Sequence, residues 1–123
     1  LVQRMAAGRE LIVGMVRDPT FGPLMMFGLG GTLTEAVGDV VFRLAPLQRR
    51  DAAEMVRGIR GFRMLEQFRG AAAVDLAALE DILLRLSQLA CDFPEIEELD
   101  VNPLLATEDG AVAVDARVVI ISH

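Results

Sequence analysis

Thr107-Glu108-Asp109-Gly110 stands between two apolar runs, Ile96 to Val101 and Ala111 to Ile121. An Asp-Gly pair in that setting is a strong hairpin signal, because glycine enters positive-φ turn conformations without steric cost. Taking Asp109-Gly110 as the two-residue turn puts Asn102 opposite Arg117, with Asp115 diagonal to Asn102 on the same face. Strand side chains alternate with a period of two. One face then carries Glu98, Asp100, Asn102, Ala113, Asp115 and Arg117. The other carries Leu99, Val101, Val112, Val114, Ala116 and Val118, and reads as a core face. A register shift of two residues leaves both faces unchanged.

Three more strands and two helices precede this hairpin's second half. Glu10 to Val16 is a short apolar run ending at Arg17-Asp18-Pro19, and its length and β-branched content favour a strand. The segment Asp18 to Pro23 has turn chemistry, so Leu24 to Phe27 reads as an antiparallel second strand. Asp39 to Leu44 reads as a third, stopped by Pro46. Asp51-Ala52-Ala53-Glu54 resembles a capping box with Asp51 at the N-cap, predicting a helix from about 52 to 58 or 60. Asp75 caps the clearest helix, in which Leu76, Leu79, Leu83, Leu86 and Ala90 form one apolar stripe. Glu80, Asp81 and Arg85 fall off that stripe, and Pro94 closes the helix near Asp92. The predicted class is α+β: a mostly antiparallel sheet with two main helices on one face.

Composition excludes several functions. The 123 residues are enough for one domain, and 53% are apolar, too many for a disordered chain. No apolar stretch approaches the ~20 residues of a membrane span. The net charge of −6 argues against nucleic acid as a partner, as does the absence of Trp and Tyr for base stacking. All 12 basic residues are arginine, so lysine-dependent chemistry lies outside this chain. The single histidine, His123, is terminal, which leaves no Ser/His/Asp or Cys/His set. The start at Leu1 reads as a cut inside a longer protein.

Three places could carry chemistry, each with a plainer alternative. Asn102 and Asp115 offer an amide and a carboxylate oxygen on adjacent strands, which suits Mg²⁺; the alternative is the solvent face of an amphipathic hairpin. Gly28-Leu29-Gly30-Gly31 could present backbone N–H groups to a phosphate, or be a glycine-rich turn. Arg17 beside a turn could clamp an anionic substrate, or form a strand-end ion pair with Asp18.

Glu10 to Gly31 (ELIVGMVRDPTFGPLMMFGLGG), with Glu35, closely resembles the ATP-grasp region of NDP-forming acyl-CoA synthetases. These include the ADP-forming acetate–CoA ligases and relatives fused to an acetyltransferase domain. DVVFRLAP at Asp39 to Pro46, Phe68-Arg69-Gly70 with Asp75, PEIEELDVNP at Pro94 to Pro103 and Val114-Asp115-Ala116-Arg117 follow in the same order. The resemblance implies the second lobe of an ATP-grasp domain, with residues 1–123 as a single unit. It implies a reaction in which acyl-CoA and phosphate give an acyl phosphate, a histidine is phosphorylated, and the phosphoryl passes to ADP.

Succinyl-CoA synthetase is a similar enzyme. By that likeness Asn102 and Asp115 match metal ligands of its beta subunit. Asp100 matches a Glu that contacts the phosphohistidine and becomes the candidate catalytic residue. Gly30, Gly31 and Arg17 are the candidate phosphate contacts, and Mg²⁺ with ATP or ADP the expected cofactor in the full-length parent. The expected partners are a nucleotide and the part of the parent, or a CoA-binding subunit, that carries the histidine. Neither nucleic acid nor membrane is expected, and the location should be cytoplasmic. The lobe should be inactive alone. Another expectation belongs to a different class: a regulatory ATP-grasp-like lobe in a fused protein acetyltransferase.

Overall fold

The Glu10–Val16 run extends at both ends into β1, Arg9–Asp18, in the computed structural model, which describes residues 9–30, 38–67 and 70–121. Asp18 closes the following turn itself. Its Oδ1 accepts from the N–H groups of Thr20 and Phe21 at 2.7 and 2.8 Å, and Gly22 takes a φ of 90° that a larger residue resists. The chain returns as β2, Gly22–Leu29, antiparallel to β1. The next strand, β3, Val40–Leu44, pairs with β2.

The first helix, α1, spans Arg49–Gly58 and begins a turn earlier than the sequence suggested. Asp51 is not the N-cap. It sits at the third helical position, and its Oδ2 accepts from the Gln48 N–H at 2.8 Å, so Gln48 is the cap residue. A 3₁₀ turn follows at Phe62–Leu65. The second helix, α2, spans Leu76–Asp92, with Asp75 accepting from the Ala78 N–H at 3.1 Å as an N-cap should. Its stripe packs as expected. Leu79, Leu83 and Ala90 are buried, with Leu76 and Leu86 against the same core.

Glu80 is drawn into the seam between the helices rather than left in solvent. It is 8% exposed and meets Arg57 at 2.9 Å and Arg49 at 3.3 Å. Arg49 also reaches Asp81, and hydrogen bonds to Asp81 and then Glu80 hold its guanidinium pKa above the ordinary value. No helix among the described residues is long and apolar enough to cross a membrane.

The terminal segment forms three strands rather than two: β4, Ile96–Thr107, then β5, Gly110–Ala113, and β6, Ala116–Ile120. Both β5 and β6 pair with β4, giving a six-stranded antiparallel sheet in the order β3-β2-β1-β4-β5, with β6 also on β4. The helices cover one face, where Leu11, Val13, Met15, Met25, Phe27, Leu99 and Val101 are buried with them. Among the described residues no helix packs on the opposite face. Phe42 and Val16 are exposed there.

One irregularity shapes that bare face. β1 pairs Val13 with Val101 but Leu11 with Leu104, so Asn102 and Pro103 together oppose the single residue Ile12. This is a β-bulge, and Pro103, without an N–H, sits where a ladder bond is missing. The extra residue switches the alternation. Leu99 and Val101 point into the core before it, and Leu104 and Ala106 after it.

Candidate functional site

The hairpin turn is Glu108-Asp109, not Asp109-Gly110. Thr107 pairs with Gly110, two residues off the expected register. Asn102 therefore opposes Asp115 directly, its N–H donating to the Asp115 carbonyl at 3.1 Å, and Arg117 opposes Asp100. A two-residue shift preserves the polar face, so Asp100, Asn102, Asp115 and Arg117 still converge. Together with Ala116 they line a pocket of about 310 Å³.

The companion core face is only half realised. Leu99 and Val101 are buried, but Val112, Val114, Ala116 and Val118 are exposed. Past the bulge the alternation is reversed, which sends Val112 to the outer side opposite Leu105. Val118 and Ala116 pair with buried residues, yet β6 is exposed along its whole length.

Arg17, the candidate phosphate contact, is engaged with backbone carbonyls instead of standing open. Its Nε donates to the Ile96 carbonyl at 2.9 Å, and its Nη2 to the Ala90 and Phe93 carbonyls at 2.8 and 3.2 Å. Those carbonyls lie at the C-terminal end of α2 and just beyond, where unsatisfied acceptors and the helix dipole favour a cation. Nor does Arg17 pair with Asp18, whose carboxylate is used in its own turn.

Gly30 is likewise committed elsewhere. Its N–H donates to the Glu10 carbonyl at 2.7 Å, so it extends the β1–β2 ladder instead of facing a phosphate. A Cβ on Gly30 would lie 3.3 Å from the Glu10 carbonyl, so close backbone approach is its role. Gly31 lies outside the described residues.

The bare face also holds a row that the sequence reading did not assemble. Phe42 on β3 opposes Met26 on β2, Met26 opposes Gly14 on β1, Gly14 opposes Asp100 on β4, and Asp100 opposes Arg117 on β6. The row runs from apolar to charged across five strands. Gly14, Met26, Phe42, Asp100 and Arg117 belong to the lining of a second pocket of about 200 Å³. A Cβ at Gly14 would sit 3.3 Å from the Met26 methyl and 3.8 Å from Asp100 Oδ1, so glycine keeps the floor beside Asp100 open. The signal was present: a glycine inside an apolar strand marks a close approach.

The donor set suits a cation that arrives with its own ligands. Among the described residues no three His, Cys, Asp or Glu side chains gather into a cage. Asp100 and Asp115 supply carboxylates and Asn102 an amide. None of the three side chains is engaged in a hydrogen bond or ion pair among the described residues. Mg²⁺ takes a few protein oxygens and fills its remaining positions with water and substrate phosphate, so this incomplete set fits it.

Residues 1–120 match the family described as the ATP-grasp domain. This chain belongs to the ATP-grasp family. Over 120 residues it is 48% identical to the beta subunit of acetate–CoA ligase (ADP-forming) I of Pyrococcus furiosus, covering 98% of this chain and 52% of that one. It is 50% identical over 121 residues to acetate–CoA ligase (ADP-forming) I of Archaeoglobus fulgidus, covering 98% of this chain and 18% of that protein. The chain thus spans about half the length of the first relative and less of the second. Among solved structures it is similar to acetyl-coenzyme A synthetase 1 of Ca. Korarchaeum cryptofilum. The TM-score is 0.89 and the identity 44%, covering 93% of this chain and 54% of that one. That protein was solved with coenzyme A and Mg-AMPPCP, its phosphohistidine segment pointing towards the nucleotide-binding site. The antiparallel sheet with its two helices is therefore an ATP-grasp fold.

Proposed function

We propose that this chain is the nucleotide- and Mg²⁺-binding second lobe of an NDP-forming acyl-CoA synthetase, residues 1–123 forming one unit of a longer parent. The observation that carries the reading is the convergence of Asp100, Asn102 and Asp115 on the bare face of an ATP-grasp sheet. Asn102 and Asp115 are the metal ligands. Asp100, next in line along β4, faces the phosphoryl group and the histidine that exchanges it. Mg²⁺, when bound, neutralises phosphate charge and orients the phosphoryl for in-line transfer. The chain's own part is to hold these oxygens on a strand whose far side is packed, so that they need little reorganisation when nucleotide arrives. The phosphorylated histidine and the CoA site belong to the rest of the parent or to a second subunit. The substrates, a nucleotide and a CoA thioester, fit a cytoplasmic enzyme.

The test compares the parent, its Asn102→Ala variant and the isolated lobe in ATP- and CoA-dependent acyl-CoA formation from acetate and other short carboxylic acids. Turnover is expected from the parent alone. Turnover by the isolated lobe, or undiminished turnover by Asn102→Ala, overturns the reading.

A further inference from the structure

Arg17, where a phosphate-binding cation was looked for, is occupied with the carbonyls around the end of α2. The chain has no lysine to replace it. Yet an acidic site that takes a nucleotide needs a positive charge. Glu98 and Asp100 line one pocket of the bare face, and Asp100 and Asp115 the other. A polyphosphate brought beside three carboxylates meets repulsion that a single divalent ion only partly offsets.

Among the described residues, one cation lines both pockets, and it is Arg117. It is the direct cross-strand partner of Asp100, which puts the two side chains on one face with Cβ atoms about 5 Å apart. It lies two residues from Asp115, the strand period that returns a side chain to the same side. Despite three nearby acids, Arg117 makes no ion pair or hydrogen bond among the described residues. Other arginines of the fold are spent on structure: Arg9 on the Met64 and Glu66 carbonyls, Arg43 on Glu54, Arg49 and Arg57 on Glu80.

We infer that Arg117 binds the phosphate groups of the nucleotide, and that it is a cation this lobe contributes to holding the transferring phosphoryl. A planar guanidinium offers parallel N–H donors that match two phosphate oxygens, which a point charge does not. Its place opposite Asp100 sets the donors at the boundary between the metal-facing oxygens and the apolar half of the row. A phosphoryl group seated there would have Arg117 beside it, within the pocket that also holds the Asn102 and Asp115 oxygens that would bind the metal. This inference rests on the nucleotide-site reading above and adds the residue that recognises the anion.

The test is equilibrium binding by the parent protein, with MgADP and with Mn²⁺ alone as separate probes. Arg117→Gln should weaken MgADP about tenfold to a hundredfold, the range for a lost charge-assisted hydrogen bond. It should leave Mn²⁺ binding unchanged or tighter, since a neighbouring positive charge is gone, and should flatten the salt dependence of MgADP affinity. Arg117→Ala should behave alike, so the test stands if one of the two fails to fold. MgADP affinity within twofold of the unsubstituted protein, while Asn102→Ala weakens it, overturns the assignment of Arg117 and leaves the site intact. If neither Arg117→Gln nor Asn102→Ala alters MgADP binding, the nucleotide-site reading falls and this inference with it.

Discussion

The two faces of one sheet obey different rules. On the covered side every polar group drawn inward is answered. Asp39 accepts from the Arg60 and Gly61 N–H groups at 2.6 and 2.8 Å, Ser87 accepts from the Leu47 N–H at 2.8 Å, and Glu80 holds two arginines. No buried side-chain nitrogen or oxygen among the described residues lacks a partner. On the bare side Asp100, Asn102, Asp115 and Arg117 stand on neighbouring strands with no such bonds among the described residues. Burial without a partner costs free energy, so a covered face must close its hydrogen bonds. A half-exposed face can keep donors and acceptors open, and open groups are what a ligand can use.

Two phenylalanines give the largest test of this contrast. Phe27 on β2 is fully buried against the helices, and Phe42 on β3 is 52% exposed on the bare face. Phe27→Ala should cost about 3–5 kcal/mol, transfer and cavity terms together. Phe42→Ala should cost about 1 kcal/mol or less, because water already reaches half of the ring. Chemical denaturation of both variants checks the difference. Equal losses would mean that the bare face is packed in the folded protein, and the comparison would break.

Arg17→Ala should have an intermediate effect. It removes a charged donor from three carbonyls around the end of α2, for an expected loss of about 1–3 kcal/mol. MgADP affinity of the parent should be unchanged, since none of these contacts faces the pocket. A selective loss of MgADP affinity without a fall in melting temperature would return Arg17 to the site.

That case shows what a sequence can and cannot disclose. Strands, helix stripe and polar face are local or periodic, so they are legible. The convergence of Asp100, Asn102 and Asp115 survived a wrong turn assignment because alternation tolerates a two-residue slip. The carbonyl bonds of Arg17 were not legible because its acceptors lie more than 70 residues away in the chain, and nothing near Arg17 announces them. The bond from Gly30 to the Glu10 carbonyl was not legible either, because a glycine serving a phosphate and one serving a strand crossing are spelled alike. The exposure of Val112 depends on one bulge, and that of Val118 on whether any element covers the sheet edge. Neither is a property of the valines. Glu80 lies off the apolar stripe yet is buried, because Arg49 and Arg57 on another helix happen to face it.

Asp115→Ala should give the smallest change in stability and so separates the faces most cleanly. Asp115 is exposed, and its side chain makes no hydrogen bond or ion pair among the described residues. What ties this stretch to β4 is its backbone, through the Asp115 carbonyl and the Asn102 N–H, which alanine retains. A surface substitution of this kind changes stability by about 0.5 kcal/mol or less, in either direction. Losing two adjacent carboxylates' mutual repulsion by removing one of them can make the sign favourable. For turnover the same substitution removes one of the few protein oxygens available to the metal, and acyl-CoA formation by the parent should fall by about a hundredfold or more. Melting temperature and turnover must be measured on one preparation. A steady melting temperature with lost turnover is the signature of an open group kept for a ligand. A collapse in stability would make Asp115 part of the scaffold, and near-normal turnover would remove it from the metal site.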